Sequence, residues 1–225
     1  ADTYTTVCAA WDGGSPTKMT AFGGRLYIGV EAATGMKVFR SKGANADSPV
    51  ACIDFEKIVD AANGLGMDGW SAIEDNNISV SSIISFNGYI YAGTLNCNDG
   101  SVDCYADTTD DDSDGAQIWR SADGVTWEKV HDMSSDAKNM RFTTMAVNGN
   151  FLYASTRNSA TLTLGAATGA EVWRTPDGIT WEQFGSDGFG TNTYTDIPSM
   201  ASFLNMIYFG MEDTVGGGAI FRSSN

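Results

Sequence analysis

One motif recurs along the chain, and the recurrence constrains the fold more than any other feature. Ala21-Phe22-Gly23-Gly24-Arg25-Leu26-Tyr27-Ile28-Gly29 is matched by Ser85-Phe86-Asn87-Gly88-Tyr89-Ile90-Tyr91-Ala92-Gly93. A third copy, Ala146 to Ser155, carries one inserted residue, and Ser202 to Gly210 is the fourth. Each is followed by a second signature: Lys37-Val38-Phe39-Arg40-Ser41, Gln117-Ile118-Trp119-Arg120-Ser121, Glu171-Val172-Trp173-Arg174-Thr175 and Ala219-Ile220-Phe221-Arg222-Ser223. Short strands repeating at roughly 45–60 residues predict an all-β, four-bladed β-propeller. Residues that repeat are scaffold, so chemistry belongs to the departures from the repeat.

Each unit reads as four strands. Asn87-Gly88, Asn148-Gly149 and Gly23-Gly24 are two-residue hairpin turns, which need positive φ at both positions, whereas Leu204-Asn205 departs from that chemistry and predicts a looser turn. The turn into the outer strand, Ser121-Ala122-Asp123-Gly124 or Thr175-Pro176-Asp177-Gly178, uses Asp to accept backbone N–H groups and Gly for the bend. Trp127 and Trp181 follow and should pack between blades. The blades fall at about 16–60, 78–132, 139–185 and 195–225, the last completed by residues 2–7. Joining Asn225 to Ala1 aligns Tyr4 with Trp127 and Val7 with Val130, which predicts that Asp2–Val7 is the outer strand of the last blade and closes the ring. The rival readings are a piece of a larger propeller, or an N-terminal strand donated to a neighbouring subunit.

Composition narrows the partners. Net charge is −15, which disfavours nucleic acid and anionic membrane surfaces, and no apolar run is long enough to span a bilayer. The start Ala1-Asp2-Thr3-Tyr4 lacks a methionine and is read as a mature end left by signal cleavage, or as an artificial one. Four cysteines allow three pairings; Cys97 and Cys104 bracket a short loop that they could close, leaving Cys8 with Cys52. An even count with no Cys-x-x-Cys favours an oxidising, secreted or cell-surface setting.

The Ser-Ala-Asp-Gly-Val-Thr-Trp segment at 121–127 and its partner at 175–181 resemble the Asp-box of sialidase-type repeat propellers, one residue short between Asp and Gly. Gly188-Phe189-Gly190, Met200 to Phe203, Ile207 to Gly210 and Ile220 to Ser223 resemble secreted bacterial and archaeal propeller repeats. The resemblance implies the fold over nearly the whole chain and, for the Asp-box, a structural turn at the blade periphery.

The departures from the repeat are loops. Asn96–Gly115 is far longer than its counterpart Glu31–Gly35 and contains Asp110-Asp111-Asp112-Ser113-Asp114-Gly115. Alternate carboxylates followed by Gly form the front half of a Ca²⁺ loop, so Asp110, Asp112, Asp114 and Asp107 are the candidate ligands, without the usual bidentate Glu. The loops after the second strands gather on one face, where Asn96, Arg157, Asn158, Glu212 and Asp213 are candidate ligand-binding residues. Arg40, Arg120, Arg174 and Arg222 share one repeat position and read as staples, leaving Arg25, Arg141 and Arg157. With no Arg-Ile-Pro segment, a sialidase constellation is not met. His131, the only histidine, reads as a surface residue, and Asn77-Ile78-Ser79 is a glycosylation sequon by pattern. Taken together these residues predict a secreted binding propeller, not an enzyme, that meets a glycan or a cell-surface protein with its long loops. The rival classes are a glycosidase or lyase using Arg141 or Arg157 with nearby carboxylates, and a self-assembling structural subunit.

Overall fold

The computed structural model describes residues 6–9, 11–32, 34–43, 51–61, 66–68, 77–96, 115–159, 166–213 and 215–223. Among them the regular structure is β, apart from three single-turn 3-10 segments. The first sheet is an antiparallel meander of β1 (Ser15–Phe22), β2 (Arg25–Glu31), β3 (Lys37–Ser41) and β4 (Phe55–Asp60). A two-residue strand, β5 (Met67–Asp68), runs parallel to the outer edge of the second sheet. That sheet comprises β6 (Asn77–Phe86), β7 (Tyr89–Asn96), β8 (Gln117–Ser121) and β9 (Trp127–Asp132). The third comprises β10 (Asn139–Asn148), β11 (Phe151–Asn158), β12 (Val172–Thr175) and β13 (Glu182–Gln183). The fourth has β14 (Tyr194–Phe203), β15 (Met206–Asp213) and β16 (Ala219–Arg222). The inner strands β1, β6, β10 and β14 pack on one another in that order. At their upper ends Leu95 pairs with Arg141 and Arg157 with Asp196, which links the second, third and fourth sheets edge to edge.

Strand alternation explains the stacking. Successive side chains of a strand point to opposite faces. In the third strand of each unit, Val38, Ile118 and Val172 face the following sheet, while Trp119, Trp173 and Phe221 face the preceding one. Three aromatic-aliphatic interfaces result. Tyr27, Val38 and Ile58 meet Ile90, Trp119 and Trp127; Tyr91 and Ile118 meet Phe142 and Leu152; Tyr153 and Val172 meet Ile207 and Phe209. A Cβ at Gly124 would collide with the Tyr27 hydroxyl, and one at Gly178 with that of Tyr91. The Asp-Gly turn of one sheet is therefore the seat for the tyrosine of the sheet before it.

The turn itself forms as its residues dictate. Asp123 Oδ1 accepts the N–H groups of Val125 (2.8 Å) and Thr126 (2.9 Å), and Ser121 Oγ accepts that of Gly124 at 2.8 Å. Asp177 and Thr175 repeat the arrangement. These N–H donors hold both carboxyls below the usual range. The repeated arginines pair with the outer strand: Arg40 with Glu56 (2.6 Å), Arg120 with Glu128 (2.7 Å) and Arg174 with Glu182 (2.7 Å).

Several expectations change. Leu204-Asn205 is not loose: β14 and β15 close through Phe203 opposite Met206, with φ of 50° at Leu204 and 62° at Asn205. A leucine in the left-handed region is uncommon and is held here by the pairing on either side. In the third unit the inserted residue shifts the turn to Gly149-Asn150, and Asn148 pairs with Phe151. Asn77 of the sequon is fully buried and donates to Gln117 Oε1 at 2.7 Å, so a glycan has no access there. His131 is not a surface residue: its ring stacks on Trp181 (5.5 Å between centroids), lies 4.5 Å from Trp173 and has a sealed Nε2.

The ring closure expected from Asp2–Val7 is not found. Residues 2–5 lie outside the described residues; Thr6 and Val7 belong to no strand, and among the described residues β16 pairs only with β15. The chain following Val7 instead folds over the outward face of the first sheet. Cys8 is bonded to Cys52, and Trp11 packs edge-on against Phe39 (5.5 Å) and Phe55 (5.2 Å). Asp12 is pinned by Lys57 at 2.8 Å and Lys37 at 3.4 Å, which hold its carboxyl below the usual range.

Candidate functional site

A charged row crosses the upper ends of the first two strands of the third and fourth sheets. Arg141 on β10 stands opposite Arg157 on β11, Arg157 opposite Asp196 on β14, and Asp196 opposite Glu212 on β15. Directly opposed residues share a face with Cβ atoms about 4.5–5.5 Å apart, so two guanidiniums and two carboxylates converge on one side. Thr143 Oγ1 donates to Asp196 Oδ1 at 2.8 Å, and Arg157 Nη1 lies 3.5 Å from Asp196 Oδ2. Arg141 forms no ion pair among the described residues, and its Nε is sealed without a hydrogen-bond partner. Asp196 is 4% exposed, whereas Glu212 is exposed. Burial pushes the Asp196 carboxyl above the usual range; the Glu212 charge adds to the rise, while Thr143, Arg157 and Arg141 oppose it. The row thus holds one carboxyl biased toward its protonated form beside another that faces solvent.

The other expected site residues have distinct placements. Asn158 is buried and closes its own loop: its Nδ2 donates to Thr168 Oγ1 at 3.0 Å, and its Oδ1 accepts the Thr168 N–H at 2.9 Å. Asn96 is fully buried, opposite Asn77. Asp213 Oδ1 accepts the Val215 N–H at 2.9 Å. Cys97, Cys104, Asp107, Asp110, Asp112 and Asp114 lie outside the described residues. Of the expected set, Arg157 and Glu212 enter the row. Asp196 was missed, and its only signal is a carboxylate set one residue before the buried Ile197 at the mouth of an inner strand.

A second buried carboxyl, Glu171, belongs to the scaffold. It accepts from Asn139 Nδ2 at 2.9 Å and Trp173 Nε1 at 2.7 Å. One sheet earlier Gln117 Oε1 accepts from Asn77 Nδ2 and Trp119 Nε1 in the same manner, without a charge.

No protein-family model matches the chain, and no curated protein matches it. Among solved structures it is similar to a Hadza microbial sialidase, at 13% identity over 92% of this chain and 43% of that one, with a TM-score of 0.51. It is also similar to a sucrose-bound GH32 β-fructofuranosidase mutant from Bombyx mori (12% identity, 87% and 40% of the two chains, TM-score 0.46). A third is an α-L-arabinofuranosidase from Clostridium thermocellum (13% identity, 93% and 67%, TM-score 0.44). The chain spans about two-fifths of the length of the first two. At these identities the likeness speaks for the fold, an all-β architecture of the β-propeller type. The expectation that the chain is not an enzyme is corrected: the sialidase with which it shares this fold is itself an enzyme. That expectation rested on the missing sialidase constellation, which tests one chemistry and not the scaffold's capacity for others.

Proposed function

We propose that this chain is a carbohydrate-processing propeller unit that hydrolyses glycosidic bonds on its long-loop face. One observation carries the reading: Arg141, Arg157, Asp196 and Glu212 stand in a single row at the loop-bearing ends of the first two strands of the third and fourth sheets. Glycoside hydrolysis needs one carboxyl that donates a proton to the leaving oxygen and one carboxylate that acts as base or nucleophile. Environments that push two carboxyls apart set those roles. Asp196, raised by burial, is assigned as the acid, the exposed Glu212 as the base or nucleophile, and the arginines as groups that orient the sugar. On this reading the four units are blades of a propeller, the setting is extracellular in keeping with the Cys8–Cys52 bond, and Asp107, Asp110, Asp112 and Asp114 bind Ca²⁺ to stiffen the neighbouring loop.

The test is a panel of fluorogenic glycosides together with polysaccharides scored for new reducing ends. Hydrolysis should appear with at least one member and fall by about 100-fold or more in Asp196→Asn, with near-UV circular dichroism unchanged. Absence of release from every member, with and without calcium, would remove the reading.

A further inference from the structure

The outward face of the fourth sheet is built like an interior and covered by nothing among the described residues. Register places Phe203, Met206, Tyr208, Gly210, Ile220 and Arg222 on that face, opposite to the one that holds Phe209 and Phe221 against the third sheet. In the three preceding sheets the residue equivalent to Ile220 is sealed: Val38 is 1%, Ile118 0% and Val172 1% exposed, against 81% for Ile220. Phe203 is 61% and Leu204 70% exposed. Among the strand residues on that face the charged ones are Arg222 and, at its loop end, Glu212, although the chain carries a net charge of −15. Large exposed apolar residues clustered on a sparsely charged face mark an interaction surface.

The stacking within the chain says what fits such a face. The forward side of each of the first three sheets is covered by the backward side of the next, whose third strand contributes an aromatic: Trp119, Trp173 or Phe221. Among the described residues one backward side is left without a sheet, that of the first, where Met19, Ile28 and Phe39 stand opposed in register. It carries an apolar cavity of about 460 Å³ lined by Val7, Trp11, Met19, Leu26, Ile28 and Phe55, and Met19 is 66% exposed.

From this we infer that two copies of the chain associate head to tail. The forward face of the fourth sheet in one copy, centred on Ile220, seats on the backward face of the first sheet in the other, beside Met19. The contact continues the sheet-on-sheet packing that runs through each copy, and applied twice it closes a two-fold ring. It is independent of the hydrolytic reading.

Sedimentation velocity across a wide concentration series tests it. The weight-average mass should rise toward twice the monomer value. Ile220→Lys and Met19→Lys should each hold the chain near monomer mass, with thermal midpoints at low concentration unchanged because both side chains are exposed. An equimolar mixture of the two variants retains one intact pair of faces and should recover part of the dimer. A wild-type chain that stays monomeric overturns the proposal, as does a dimer that persists in either variant. So does a lowered low-concentration midpoint in Ile220→Lys, which would place that face inside the monomer's own fold.

Discussion

Ile118 and Ile220 occupy the same place in their sheets, second in the third strand and pointing forward, yet one is 0% and the other 81% exposed. The two strands read alike, Gln-Ile-Trp-Arg-Ser and Ala-Ile-Phe-Arg-Ser. The difference lies wholly in what stands in front. Ile118 has Phe142, Leu152 and Ala154 ahead of it; Ile220 has nothing among the described residues. The first sheet shows another solution to an exposed end, because its backward face is overlaid by Trp11 and fastened through Cys8–Cys52. A repeat supplies its units with faces, and only the neighbours decide which faces are interiors.

That contrast can be broken most strongly in the middle of the stack. Trp127→Ala, at the interface of the first and second sheets, should cost about 3–5 kcal/mol in urea unfolding. Ile118→Ala should cost about 2–4 kcal/mol while Ile220→Ala, measured on dilute chain, stays within about 0.5 kcal/mol. Equal costs would erase the distinction between covered and bare faces.

The second interface is also sensitive to acid. Burial among Trp173, Trp181 and Phe142 pushes the His131 imidazole down to about 4. The unfolded chain takes up this proton near pH 6.5 and the folded chain only near 4. The contribution is therefore whole above 6.5, declines as pH falls between those values and levels off below 4. The loss should amount to roughly 3 kcal/mol, and His131→Phe should flatten that part of the stability–pH curve. An unchanged curve would mean that the ring is solvated.

Cutting the staple on the capped end comes next. Cys8→Ser with Cys52→Ser should lower stability by about 2–3 kcal/mol and open the 6–14 segment to proteolysis, leaving the third and fourth sheets intact. The smallest effect belongs to Glu171→Gln. Burial raises the Glu171 carboxyl, so ionisation at neutral pH opposes folding, and one sheet earlier Gln117 serves the equivalent donors, Asn77 and Trp119, with a single oxygen. At pH 7 the variant should match wild type or exceed it by up to about 1 kcal/mol. A clear loss would instead assign the charge a part in holding Asn139 and Trp173.

What the sequence made legible was local. The Asp-Gly turns, the arginine staples and the inter-sheet tryptophan at 127 follow from short-range spacing, and the structure places them so. The closure by Asp2–Val7 followed from alignment alone, and nothing in an alignment weighs Trp11 and Asp12 holding the neighbouring segment on the first sheet. His131 looked solvent-facing because its burial comes from Trp173 and Trp181, more than forty residues away. In the charged row, Arg157 and Glu212 were found through their loops. Asp196 was not, because the pairing of β11 with β14 brings it there and no motif announces that register.

The seating of each tyrosine in the following sheet's glycine turn gives the row of sheets a direction, like an arrowhead notched into the next shaft. Tyr27 and Tyr91 point one way along the chain, to Gly124 and Gly178, and a sheet inserted backwards would offer phenol to phenol. Units can therefore be duplicated or deleted whole but not inverted, which restricts how such a chain can lengthen.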